Sequence, residues 1–153
     1  MKKISLLIGL LSISIFSNPK DQPNFVIIYV DDMGYADIGE FQDEKISTPN
    51  LDLMASNGQT WTNFYASSSV CTPSRAGLLT GILPVRNGLY GDQIAVFFPG
   101  SKTGIPKNQL TLAEVFQING YSTGIFGKWH LGDAKEFLPC LLYTSDAADD
   151  AWC

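Results

Sequence analysis

The sequence predicts an α/β domain built on a largely parallel sheet flanked by helices. Three observations lead there. Phe25 to Val30 is an unbroken β-branched and aromatic run, Phe-Val-Ile-Ile-Tyr-Val, and a run without polar alternation suits a strand covered on both faces. Tyr121 to Phe126 is a second candidate for a central strand. Between the two lie segments that open on helix caps and close on glycine, and strands alternating with capped helices imply crossover connections.

Taken in order, the first strand gives way to Asp31-Asp32-Met33-Gly34, an abrupt switch to polar residues and glycine. Thr48-Pro49 opens a short helix, with threonine as cap and proline at the first helical position. Leu51, Met54 and Ala55 share one helical face, and Gly58 is the stop. Thr60 to Tyr65 alternates as a strand would. Thr72-Pro73 repeats the cap signal before a helix over Ser74 to Thr80, ended by Gly81. Thr111 and Glu114 have the spacing of a capping box, followed by Leu112, Val115, Phe116 and Ile118 and then Gly120. The second central strand ends at Gly127-Lys128-Trp129-His130. Ligands of parallel sheets gather at the carboxyl ends of the strands, so the charged residues Asp31, Asp32, Lys128 and His130 fall where a site is expected.

Composition narrows the function class without naming it. A chain of 153 residues is one domain or part of one. With 45% hydrophobic residues and 16% charged ones it can bury a core and is not a disordered chain. A formal net charge of −5 with ten lysines and arginines excludes a basic nucleic-acid surface. Three cysteines are too few for a disulfide scaffold. No internal repeat or low-complexity stretch is present before the last residues.

The two ends differ from the middle. Met1-Lys2-Lys3 followed by the apolar Ile4 to Phe16 has the form of a secretory signal peptide over residues 1–17. The apolar run is shorter than the ~20 residues of a membrane-spanning helix, so no span is expected once it is removed. The alternative is an uncleaved anchor. From Cys140 the chain runs Cys-Leu-Leu-Tyr-Thr-Ser-Asp-Ala-Ala-Asp-Asp-Ala-Trp-Cys, which does not continue the preceding pattern. Residues 140–153 have the look of adapter read-through, the alternative being an acidic surface tail. Residues 18–139 then hold eight basic and twelve acidic residues and a single cysteine, Cys71.

Cys71-Thr72-Pro73-Ser74-Arg75 is the first stretch that carries chemistry. Cys71 lies just before a helix N-terminus, where amide groups and the macrodipole favour negative charge. Arg75 is four residues on, one turn along the same face. A nucleophile and a guanidinium are thereby aimed at one anion, although a buried cysteine beside a structural arginine fits the five residues equally well. The Asp31-Asp32 pair admits two readings as well, a simple turn or a site for a hard cation held by oxygens. In an extended segment Lys128 and His130 face the same way.

The flanking residues decide among these. Cys-Thr-Pro-Ser-Arg-Ala-Gly-Leu-Leu-Thr-Gly, Cys71 to Gly81, closely resembles the first signature of the sulfatase family. Gly-Tyr-Ser-Thr-Gly-Ile-Phe-Gly-Lys-Trp-His, Gly120 to His130, is similar to its second. The strand ending in Asp31-Asp32 and the segment Thr48-Pro49-Asn50-Leu51 match in order and approximate spacing, so the resemblance covers residues 24 to 139. Within the family it is arylsulfatase-like.

The resemblance implies an alkaline-phosphatase-like α/β fold, incomplete here, with residues 18–139 as the N-terminal part of the catalytic domain. It implies hydrolysis of a sulfate ester, aryl, steroid or sugar. Cys71 matches the cysteine that a formylglycine-generating enzyme oxidises before folding, and Pro73 and Arg75 match residues read by that enzyme. The aldehyde hydrate attacks sulfur through one oxygen, and the second hydroxyl then expels sulfate. Arg75 also matches the arginine that holds the hydrate, and Lys128 and His130 match residues that contact the sulfate and the formylglycine hydroxyl. Lysine can neutralise a sulfate oxygen, and histidine can stabilise an oxygen or move a proton. Asp31 and Asp32, with the modified Cys71, match the ligands of a divalent cation, usually calcium, with magnesium also suited to oxygen donors.

The family pattern also has a further Asp and Asn for the metal, a second His and a second Lys, and these 153 residues offer no candidates for them. About half of the site is therefore expected here, in a fragment inactive by itself. The expected setting is the secretory pathway, ending outside the cell, in the lysosome or in the periplasm. Two rival readings stand beside this one. A phosphonate or phosphodiester hydrolase of the same superfamily would share the nucleophile, and a non-catalytic secreted metal-binding module would not need Cys71, Arg75, Lys128 and His130 together.

Overall fold

A computed structural model describes residues 22–39, 46–91 and 95–139. The expected signal segment 1–17 and the tail 140–153 lie outside the described residues. The chain divides into two compact units, Met1–Met33 and Gly34–Cys153.

In the first unit residues 22–30 are neither helical nor paired into a sheet. Phe25 to Val30, expected to be buried on both faces, are all exposed, Val26 at 86%. The two other expected strands behave alike. Thr60 to Tyr65 contains a turn at Thr62 and Asn63, with Trp61, Phe64 and Tyr65 exposed. Residues 121–126 are not helical and end on Phe126 at 92% exposure. No β-strand is formed among the described residues, so the expected sheet is not seen. The physical reason is that a strand is not a local object. Its backbone N–H and C=O groups need neighbours at ~4.8 Å, and no β-branched run supplies those from within itself.

The second unit is organised by helices, where the signals are local. α1 (Pro49–Asn57) starts at the Thr48-Pro49 signal and stops at Gly58. Thr48 does not cap α1 through its side chain. Its hydroxyl donates to Asp52 Oδ1 at 2.9 Å and accepts from Gly39 N at 2.9 Å. α2 (Cys71–Thr80) starts three residues before the expected Ser74, with Val70 as its cap. Thr72 is therefore not a cap but the second residue of the helix, fully buried. The expected stop is kept, with Gly81 in the left-handed conformation donating to Gly77 O at 2.9 Å. α3 (Pro84–Asn87) was not expected from the sequence, and it ends on Gly88.

α4 (Leu112–Ile118) carries the expected capping box. Thr111 Oγ1 accepts from Glu114 N at 3.3 Å, and Glu114 Oε2 accepts from Thr111 N at 2.7 Å. Two orphan donors of the first turn are thereby satisfied reciprocally. α2 packs against both α3 and α4. The core is small: Ala76 of α2, Leu89, Phe97, Ile105 and Leu131, with Leu79 and Trp129 against it. Two of these, Trp129 and Leu131, bracket His130, so packing fixes the segment that carries it.

Candidate functional site

α2 places Cys71 at its first residue and Arg75 one turn on. Segment 128–132 lies against this end of the helix, and the two are joined by side chains of α2 that grip backbone carbonyls. Arg75 Nη1 donates to Lys128 O at 2.7 Å. Thr72 Oγ1 donates to His130 O at 2.9 Å. These carbonyls are two residues apart in the segment.

The opposite flank is held by different contacts. Ile105 N donates to Leu131 O at 2.8 Å, and Trp129 Nε1 donates to Phe137 O at 2.9 Å. A Cβ on Gly132 would stand 2.8 Å from Gly104 Cα and 2.7 Å from Phe137 Cβ. Gly132 is also at φ 123, a conformation that residues with a Cβ avoid. The backbone of the site segment is thus specified from both sides.

With the backbone so fixed, the side chains meet. Lys128 Nζ donates to Cys71 Sγ at 3.3 Å across 57 residues of sequence. Lys128 is exposed and Cys71 is half-buried, so the pair is reachable from solvent. His130 adopts φ 58, a left-handed conformation that costs a residue with a Cβ about 1–2 kcal/mol. Its Nε2 is 2.7 Å from Phe97 O. A carbonyl oxygen only accepts, so Nε2 carries the proton and donates. In the neutral ring Nδ1 is then the bare acceptor. Nδ1 is buried and has no hydrogen-bond partner among the described residues. The structure therefore brings Cys71, Arg75, Lys128 and His130 onto one helix end and the segment against it.

Two residues that sequence reasoning passed over also belong here. Thr72 carries the sequence signal of a cap, and Phe97 lies in no motif. Phe97 N donates to Thr72 Oγ1 at 3.0 Å, so Phe97 meets both Thr72 and His130 through its backbone. No sequence pattern announces a backbone contact of that kind.

Asp31 and Asp32 belong to the first unit. They form a bend, with Asp32 at φ 53, a left-handed position that aspartate tolerates better than most residues. Two carboxylates offer at most four oxygens, and calcium takes ~6–8. Among the described residues no three His, Cys, Asp or Glu side chains gather as a metal site. The donors present do not by themselves fit the cation.

Comparison with known proteins bears on the same residues. The family model described as Sulfatase matches residues 23–139. The chain belongs to the sulfatase family. Arylsulfatase A of Bos taurus is 52% identical over 119 residues, covering 76% of this chain and 23% of the relative. Arylsulfatase G of Homo sapiens is 51% identical over 118 residues, covering 77% of this chain and 22% of the relative. Steryl-sulfatase of Rattus norvegicus is 40% identical over 131 residues, covering 84% and 23%. The crystal structure of Ps i-CgsB superposes with a TM-score of 0.67 at 36% identity, covering 74% of this chain and 24% of that one. The chain thus spans about a quarter of the length of the curated relatives it matches. Among the described residues no helix is long and apolar enough to cross a membrane.

Proposed function

We propose that this sulfatase chain carries the nucleophile half of a site that hydrolyses sulfate esters, with Cys71 matured to formylglycine. One observation carries the reading: Lys128 Nζ meets Cys71 Sγ at 3.3 Å. It supports the view that the two signature stretches serve one reaction centre. Sγ stands in for an oxygen of the hydrated aldehyde, which supplies an alkoxide-like nucleophile where cysteine would supply a thiolate.

The chain's own residues then have distinct parts. The ammonium of Lys128 neutralises charge on an anion bound beside residue 71. Arg75 fixes Lys128 by holding its carbonyl, and its position one turn from Cys71 adds positive charge to the same end of α2. His130, donating through Nε2, keeps Nδ1 as an acceptor for a hydroxyl proton. Asp31 and Asp32 are the two candidate ligands for a divalent cation, calcium or magnesium, needing further oxygen donors to complete the shell. The arylsulfatases and steryl-sulfatase among its relatives favour an aryl or steroid sulfate as substrate. The fold proposed for the complete domain is the alkaline-phosphatase-like α/β sandwich, with residues 18–139 as its N-terminal part. The basic, apolar N-terminus favours the secretory pathway.

The test is conversion of Cys71. Co-expressed with a formylglycine-generating enzyme, the peptide containing Cys71 should lose its sulfur and gain an aldehyde in the mass spectrum. Arg75→Ala should cut conversion strongly. Unmodified cysteine throughout, under conditions that convert a control sulfatase, would remove the proposed nucleophile and the reading with it.

A further inference from the structure

We infer that Thr72 is a positioning residue of this site, acting through a closed ring of three hydrogen bonds that sets which nitrogen of His130 is left free. The inference rests on the proposed reading of His130 as part of the reaction centre. The ring runs through three distant parts of the sequence. Thr72 Oγ1 donates to His130 O at 2.9 Å. Phe97 N donates to Thr72 Oγ1 at 3.0 Å. His130 Nε2 donates to Phe97 O at 2.7 Å.

Each bond leaves no choice of direction. A hydroxyl has one proton and can also accept. The His130 carbonyl can only accept, so the Thr72 proton goes there. The Phe97 amide can only donate, so it uses the hydroxyl's lone pair. The Phe97 carbonyl can only accept, so His130 must present N–H at Nε2. Thr72 holds Phe97 by its amide, and the carbonyl of the same residue sets the imidazole. Thr72 is fully buried and Phe97 nearly so, which shields the ring from exchange with water. The left-handed backbone of His130, φ 58, is a conformation that persists only when its surroundings over-determine it. The Thr72 bond to its carbonyl is one such constraint.

The consequence is the bare Nδ1, buried and without a partner among the described residues. A buried acceptor left open is costly unless something donates to it. In the proposed reaction that donor is a hydroxyl of the matured residue 71 or of the substrate. Thr72 touches neither, and acts only by holding Phe97 and the His130 backbone.

The chain's single histidine makes the test direct. Long-range proton–nitrogen spectra of the ¹⁵N-labelled 153-residue chain, at about pH 9, should show Nε2 protonated, with its ring proton slow to exchange. The Phe97 amide should be protected as well. Thr72→Val keeps the shape and removes the hydroxyl, and Thr72→Ser keeps the hydroxyl and removes the methyl. Thr72→Val should lose the slow ring proton and speed Phe97 exchange about tenfold, as loss of one to two hydrogen bonds would, while Thr72→Ser should retain both. If Thr72 merely filled space, valine would behave as threonine does and serine would be the damaged variant, which would overturn the inference. A wild-type ring protonated on Nδ1 would overturn it too, and that reading needs no variant to fold. Conversion of Cys71, read by mass on the same samples, fails separately if the proposed function is wrong while the ring is right.

Discussion

Gly77 shows how closely the chain passes itself in the helix that carries Cys71. It lies inside α2, and a Cβ there would stand 2.8 Å from Ser67 Cβ and overlap Ser67 Oγ. Two effects compete in Gly77→Ala. Helix propensity favours alanine by about 1 kcal/mol. Overpacking against a neighbour disfavours it by about 1–3 kcal/mol. The clash involves Ser67 Cβ as well as its hydroxyl, so a change of rotamer does not relieve it. Overpacking wins, and urea unfolding should show Gly77→Ala less stable by about 1–2 kcal/mol. Adding Ser67→Gly should bring back most of the loss. A single variant more stable than the wild type would show that segment 67 moves aside freely. Ser67 Oγ also lies 3.4 Å from Pro73 O, so that segment supports the first turn of α2.

At the scale of elements, the helices divide by what starts them. α4 begins on its own capping box, a device complete within four residues. Thr111→Ala should therefore cost about 0.5–2 kcal/mol, and Glu114→Gln, which can still accept from Thr111 N, should cost less. Equal losses for the two, measured by thermal unfolding, would show that Thr111 matters for its burial and not as a cap. α2 is different, because its cap Val70 makes no side-chain bond to it. Its first turn is held by tertiary contacts instead, Thr72 to Phe97 and His130, and Arg75 to Lys128. The capping signal at Thr72-Pro73 therefore misplaced the start of the helix. The threonine hydroxyl that would have capped it locally is used across 58 residues of sequence. That extra turn puts Cys71 inside the helix and not before it.

At the scale of the molecule, the exposed run Phe25 to Val30 should set how the chain behaves in solution. Six consecutive apolar side chains, from 38% exposed at Tyr29 to 86% at Val26, with no ladder formed among the described residues, resemble an edge that other chains can pair with. Purified chain should associate with rising concentration in sedimentation and bind a hydrophobic dye. Val26→Lys should reduce both, since an edge lysine opposes pairing. A chain that stays monomeric at high concentration would show that the run is protected in solution. Catalysis belongs to this scale too. The chain has one histidine, whereas the family pattern uses two, and losing one donor around developing charge costs ~10²–10³ in rate. Formylglycine-bearing chain assayed with an aryl sulfate should be slower than a complete arylsulfatase by at least ~10². Turnover within about tenfold would place the whole of the chemistry in these residues.

The sequence by itself determined the family and the local elements. Cys71 to Gly81 and Gly120 to His130 are long enough to be distinctive, and helix stops such as Gly58 and Gly81 act within one turn, so both survive without any knowledge of the fold. The sheet was not determined in the same way. Phe25 to Val30 has the composition of a buried strand, yet burial and pairing depend on other segments, and the run lies exposed. The site was half legible. Cys71, Arg75, Lys128 and His130 could be named because their signatures name them. Only the tertiary structure decided that Arg75 holds the Lys128 carbonyl, that Lys128 reaches Cys71, and that Phe97, held by Thr72, fixes the His130 tautomer through its carbonyl. Apart from the Lys128–Cys71 pair, each of these contacts uses a backbone group of a residue 25 to 58 positions away, and a backbone group is the same whichever residue carries it.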